Sequence, residues 1–235
     1  MRRAKTDKAD AELIALFCEQ NPDLHLWVPQ SAAHREIKEL LRRRGQFVDQ
    51  LTATKNRIKA GYQSEYVYSS LKREIAWLLE EIKAIEKLAK AQAEADEELK
   101  ELTALLVTIP GVGWLTAVTL LVEVPKPLWE GRLASAYAGL VPHIKDSGKC
   151  VGKKSYLSRV GSSRVRAAVH MPSLTAKSKN QVLKDFYERL IRRGKKPKQA
   201  CTAVARKLVD LVFAIVRTKC PFQPDHRPRR MAATV

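Results

Sequence analysis

A chain of 235 residues, 45% hydrophobic and 29% charged, has room to bury a core without disulfide support. It contains no apolar run of about 18 residues and no apolar stretch after its basic start, MRRAKTDKADAE; a membrane-spanning helix and a signal peptide are excluded, and a cytoplasmic protein is expected. The net charge of +18 is unevenly placed: residues 1–104 carry 18 Lys/Arg and 18 Asp/Glu, residues 105–235 carry 25 and 7, so a polyanionic partner is expected for the second half.

In chain order, residues 7–20 read as a short helix, with Ala11, Ile14, Ala15 and Cys18 at helical spacing and Asn21-Pro22 as its stop. A long helix is predicted over 32–60, with Ile37, Leu41, Arg44, Val48, Leu51, Lys55 and Ile58 on an imperfect seam. The polar stretch GYQSEYVYSS should interrupt it. A second long helix is predicted over about 69–103, with a cleaner seam of Leu71, Ile75, Leu78, Ile82, Ile85 and Ala89. The pair suggests an antiparallel hairpin or a dimerising coiled coil, with few contacts to the basic half of the chain. At 104 the character changes to the apolar ALLVTIPGVGWLTAVTLLVEV, then to a Gly- and Ser-containing basic region over 139–163. A final helical zone over about 180–218 is split by Gly194 and Pro197, and a tail from 222 to 235 reads as disordered. The cysteines, Cys18, Cys150, Cys201 and Cys220, form no CxxC pair and are expected to be free buried thiols.

Three motifs could carry chemistry. Ile109-Pro110-Gly111-Val112-Gly113, between two apolar segments, resembles the turn of a helix-hairpin-helix. Glycine there would let a phosphate approach, and the next helix would offer free N–H groups; Pro110, Gly111 and Gly113 are candidate DNA-binding residues. Asp146-Ser147-Gly148 lies in a basic stretch with Lys145, Lys149, Lys153 and Lys154, and Arg164 and Arg166 come after it; these six cations are further DNA-binding candidates. Read alone, Ser147 is a turn residue, and Ser155, Ser158, Ser162 and Ser163 share its surroundings. Asp7 and Asp10, at i and i+3, share one helical face; two close carboxylates can hold a divalent cation, although an acidic first turn is also what the helix dipole favours.

Together the pieces resemble the transposases of the insertion sequence 110 type, also called Piv-type or DEDD transposases. The likeness lies in KTDKADAELIA, LWVPQSAAHREIKELLRRRGQFVDQLTATKNRI, LLVTIPGVGWLTAVTLL, LASAYAGLVPHIKDSGK, RVGSSRVRAAV and FYERLIRRGKKPKQACTAVARKLV, from residue 4 to about 221. The resemblance implies a mainly α chain. Residues 1–31 would be the end of a RuvC-like, RNase H-like α/β domain, 32–103 the helical hairpin or coiled coil, and 104–221 the C-terminal transposase domain with its helix-hairpin-helix. It implies Ser147 as a catalytic nucleophile and Asp7 and Asp10 as catalytic, metal-binding acids, the last two of a set of four. It further implies DNA as partner, with a guide RNA and homo-oligomerisation in view, and Mg²⁺ as the metal of the intact family. The chain begins just before the third acid, so the expectation is a truncated transposase or site-specific recombinase that binds DNA, holds no Mg²⁺ alone and is inactive alone. The alternative is a non-catalytic DNA-binding or regulatory protein built on the helix-hairpin-helix.

Overall fold

The structure, a computed structural model, describes residues 6–22, 29–129, 133–143, 156–157 and 160–224. The chain divides into two units, Met1–Ser31 and Ala32–Val235. In the first, α1 (Asp7–Gln20) starts where the Thr6 hydroxyl accepts from the Ala9 N–H, and ends where Asn21 Nδ2 donates to the Phe17 carbonyl at 2.8 Å. None of its residues is buried, and Leu13, Ile14, Leu16 and Phe17 are exposed.

The second unit is mainly α. It opens with α2 (Ala32–Ala60) and α3 (Glu65–Ala95), joined by Gly61–Ser64. Gln92 donates to Glu36, Arg44 to Glu86 and Thr54 to Glu74, so the two helices run antiparallel. The Ser64 hydroxyl accepts from the Val67 N–H, so EYVYSS joins α3 and the interruption shrinks to the residues before it. The α3 seam is as read from the sequence: Leu78, Ile82 and Ala89 are buried, and Leu71, Ile75 and Ile85 are half-buried. On α2 the two charged seam positions behave differently. Arg44 stays inward because Glu86 bonds it, whereas Lys55 turns out and Thr54 takes its place, donating to the Gln50 carbonyl at 3.0 Å. Phe47, Leu51, Leu78 and Ile82 form a small core of their own, with Trp77 edge-on to Phe47.

The helix expected over 69–103 is two helices. Asp96 ends α3 and caps α4 (Glu97–Val107), its carboxylate accepting from the Leu99 N–H at 3.0 Å. The character change at 104 therefore falls inside α4 and marks no break in the chain's path. After α4 come α5 (Trp114–Glu123), a 3₁₀ turn at Lys126–Trp129, α6 (Leu133–Tyr137), the two-residue strands β1 (Pro142–His143) and β2 (Tyr156–Leu157), α7 (Ser163–Lys179), α8 (Gln181–Arg192) and α9 (Pro197–Thr218). Helix α9 runs through the main core, where Val204, Leu208 and Phe213 are fully buried and Trp129 lies against Phe213.

The expectation that the paired helices make few contacts with this part is overturned. Ile37, Leu41, Ala89 and Ala93, at the open end of the pair, belong to the main core. There Glu123, at the end of α5 and 3% exposed, receives Arg42 of α2 through both oxygens, at 2.9 and 3.1 Å. His34 is buried close by; burial holds its pKa below the ordinary value, with Asp96 at 3.8 Å working against that shift. Two smaller expectations also change. Phe222, placed in a disordered tail, packs on the main core, and its N–H donates to the Thr108 hydroxyl at 2.9 Å. The cysteines described are free, but Cys18 and Cys220 are exposed and Cys201 half-buried.

Candidate nucleic-acid interface

The basic region grows from one turn. After α6 the chain reverses at Tyr137-Ala138-Gly139-Leu140, with Gly139 at φ +65 and the Leu140 N–H on the Ser135 carbonyl. β1 then pairs antiparallel with β2, Pro142 opposite Leu157 and His143 opposite Tyr156. The returning chain docks on the same turn. The Ser162 N–H donates to the Tyr137 carbonyl at 2.7 Å, and Arg166 Nη1 donates to the Ala138 carbonyl at 2.9 Å. Gly161, at φ +121, lies so close that an added Cβ would fall 2.1 Å from the Tyr137 oxygen. These contacts form a neck from which segment 144–155 leaves and to which it returns. Ser147, Lys145, Lys149, Lys153, Lys154 and Ser155 all lie on that segment, outside the described residues, and Ser158, after β2, lies outside them as well.

Around the neck the remaining candidates have distinct places. The Ser162 oxygen accepts from the Val165 N–H and so caps α7, and Ser163 is the exposed first residue of that helix. Arg164 is exposed. Arg166 is half-buried and spends one donor on the neck itself. Arg164 also stands near Lys38 of α2, which the sequence did not single out. Burial, with Arg42 and Arg164 adding to it, lowers the Lys38 pKa, and Glu123 opposes the shift. Two cations, Lys38 and Arg42, thus hold one buried carboxylate.

The turn between α4 and α5 uses its glycines for different purposes. Ile109 and Val112 are buried and anchor it, and Pro110 is half-buried. Gly111, at φ +101, turns its bare Cα toward α7: a Cβ there would meet the Ala176 backbone nitrogen at 2.8 Å. Gly113 is exposed, caps α5 without a side chain and has open space about it, so the free N–H groups of α5 face outward there. Gly111→Ala is therefore expected to lower stability by about 1–3 kcal/mol, and Gly113→Ala by under about 1 kcal/mol, in urea unfolding. Equal losses from the two would contradict this division of roles.

Asp7 and Asp10 stand on the exposed first turn of α1. No group of three or more His, Cys, Asp or Glu that could hold a metal ion occurs among the described residues. No helix among the described residues is long and apolar enough to cross a membrane.

Two family models match the chain. One, described as the transposase IS116/IS110/IS902 family, matches residues 103–188, and a second, described as a transposase, matches residues 1–64. The pilin gene-inverting protein of Moraxella bovis is 31% identical over 224 residues, covering 94% of this chain and 68% of that protein. The chain belongs to the IS110-type transposase family. Other relatives of this transposase are an IS110 insertion-element protein of Streptomyces coelicolor, 31% identical over 156 residues (65% of this chain, 37% of that protein), and the putative transposase y4qE of Sinorhizobium fredii, 25% identical over 260 residues (92% and 65%). The IS116/IS110/IS902 match spans the α4–α5 turn, the neck and α7, the elements that gather the candidate residues of this transposase.

Proposed function

We propose that the chain is the DNA-holding, serine-bearing part of an insertion-sequence recombinase, in which residues 105–221 grip duplex DNA by its phosphates. One observation carries this reading. Among the described residues, the Lys and Arg side chains that pair with carboxylates are Lys38, Arg42, Arg44, Lys90, Lys100, Lys126 and Lys219; none of the cations from 160 to 218 is among them. Among the described residues that charge stands without an ion pair, which fits a polyanionic partner. Helices α4 and α5 with their turn are read as a helix-hairpin-helix whose phosphate contact falls at Gly113 and the start of α5, since Gly111 is occupied by α7. The pair α2–α3 is read as the coiled-coil linker of the family.

Ser147 is assigned as the nucleophile. Its oxygen would attack a DNA phosphorus, forming a serine–phosphate bond as the bond to one nucleotide oxygen breaks; that oxygen leaves with the proton the serine gives up. The neck supports this reading because it fixes both ends of the segment that carries Ser147, and the capping role of Ser162 leaves that oxygen engaged elsewhere. Asp7 and Asp10 are taken as two carboxylates of a metal site that needs further ligands, so no step is assigned to the chain alone through a metal.

Fluorescence anisotropy of the full chain with duplex DNA tests the reading. Binding should weaken steeply with salt, by about 0.9 in log K per log unit of salt for each phosphate neutralised, and Mg²⁺ should bring no cleavage. Absence of binding at low salt would overturn it. For Ser147, covalent protein–DNA adducts should form once further acids are supplied in trans and disappear in Ser147→Ala. Adducts of equal yield in that variant would remove the assignment, and a chain that binds DNA but never forms adducts is the non-catalytic binder.

A further inference from the structure

A second cationic feature lies on different elements from the neck and the α4–α5 turn. From 189 to 209 the sequence holds eight basic residues and no Asp or Glu. Five of them, Arg192, Arg193, Lys195, Lys196 and Lys198, crowd the turn between α8 and α9, and all five are exposed. The turn is firmly built. Gly194 sits at φ +76, its N–H donates to the Ile191 carbonyl at 2.8 Å, and the Lys195 N–H reaches back to the Leu190 carbonyl at 3.1 Å. On the other side Pro197 opens α9, the Lys196 N–H donates to the Gln199 side chain at 3.4 Å, and Ala200 is fully buried one turn on.

Folding accounts for two of the five cations and works against the other three. Arg192 and Arg193 lie at the C-terminus of α8, where the helix dipole welcomes positive charge. Lys195, Lys196 and Lys198 lie at or beside the N-terminus of α9, where the dipole end is itself positive and cations are disfavoured. Among the described residues none of these lysines has a carboxylate within ion-pair distance to offset that cost. Lysines held on a rigid turn, at the end of a helix that repels them, form a place where an external anion gains from the side chains and from the free amides together. Behind them, Arg189 and Lys207 lie over the Phe186 ring and Lys177 over Tyr187, which fixes further positive charge on α8 and its neighbours.

We propose that the α8–α9 turn, residues 192–198, is a separate contact for the phosphate backbone of duplex DNA, with Lys195, Lys196 and Lys198 as its binding residues. The proposal rests on the DNA-binding reading above and adds a site that neither the serine segment nor the α4–α5 turn provides. Because it offers charge and amides and no base-reading side chain, it holds DNA without regard to sequence.

The test uses the full chain with Lys195, Lys196 and Lys198 all changed to Gln, beside a control with Lys83, Lys87 and Lys90 of α3 changed to Gln, an equal change of charge. The turn variant should bind a duplex about tenfold or more weakly at low salt, and its salt slope should fall by about 2–3, as expected when about three phosphate contacts are lost. Its melting temperature should hold or rise, because cations leave a helix N-terminus. The control should keep the wild-type slope. A turn variant with the wild-type slope overturns the proposal while leaving the DNA-binding reading standing. A fall in slope equal to the control's, or loss of binding to a structured RNA with duplex binding untouched, also overturns it. If the wild-type chain binds no duplex, the underlying reading fails and takes this one with it.

Discussion

Replacing Arg42 by methionine is expected to cost about 3 kcal/mol of stability, because it strips both hydrogen bonds from a carboxylate that stays buried. Glu123 has a side chain only 4% exposed, at the end of an α5 that packs on every side, so it has little water to turn to. Lys38, 3.9 Å away, relieves part of the loss, and the 39% exposure of the Arg42 side chain keeps the figure at the low end of what breaking a buried pair costs. The double change Arg42→Met with Glu123→Met removes both charges and should recover most of the loss. Urea unfolding of the two variants decides it. An Arg42→Met protein within about 1 kcal/mol of wild type would mean that the pair is not what joins α2 to α5.

Gly161→Ala is expected to cost about 3 kcal/mol or more, since it combines left-handed strain with a steric overlap that a backbone shift must relieve. The overlap is with a carbonyl oxygen, which cannot rotate away as a flexible side chain could, and the same oxygen accepts the Ser162 N–H. The variant should therefore lose the neck before the core, appearing as early proteolytic cutting between 140 and 162 together with a lower melting temperature. Gly45→Ala serves as the comparison: it lies within α2 with nothing near its missing Cβ, and alanine there should be neutral or stabilising by about 0.5–1 kcal/mol. Equal behaviour of the two variants would show that the close approach at 161 is not maintained in solution.

The helices were legible where apolar spacing speaks alone, as in α3, whose seam from Leu71 to Ala89 is the one read from the sequence. Legibility failed where a polar residue overrides the period. Asp96 is a cap that cuts one helix into two, and Thr54 replaces Lys55 on the seam because its hydroxyl finds a carbonyl and a carboxylate. Gly111 was recognised as special, but a sequence cannot say whether a glycine makes room for a ligand or for another helix; here Ala176 answers that. The neck was hidden because it depends on Tyr137, Gly161 and Arg166, which no local pattern joins. Phe222 had the look of a tail residue because the contact that holds it, Thr108, lies far back along the chain. The lysines at the start of α9 were passed over in the sequence, because their meaning needs the helix boundary that sets them at the wrong pole of a dipole.

The pairing of Pro142–His143 with Tyr156–Leu157 has a consequence for how this protein could diversify. A stretch whose two ends are fastened side by side behaves as an exchangeable cassette: whatever lies between them can grow, shrink or be replaced without moving the helices that support it. The thermodynamic penalty is small, about 0.6 kcal/mol for each doubling of a flexible loop's length. The length between 144 and 155 can then change at little cost to the fold, so constraint on Ser147 and its lysines comes from chemistry, while the residues that hold the clasp, Tyr137, Gly161 and Arg166, are kept by the architecture.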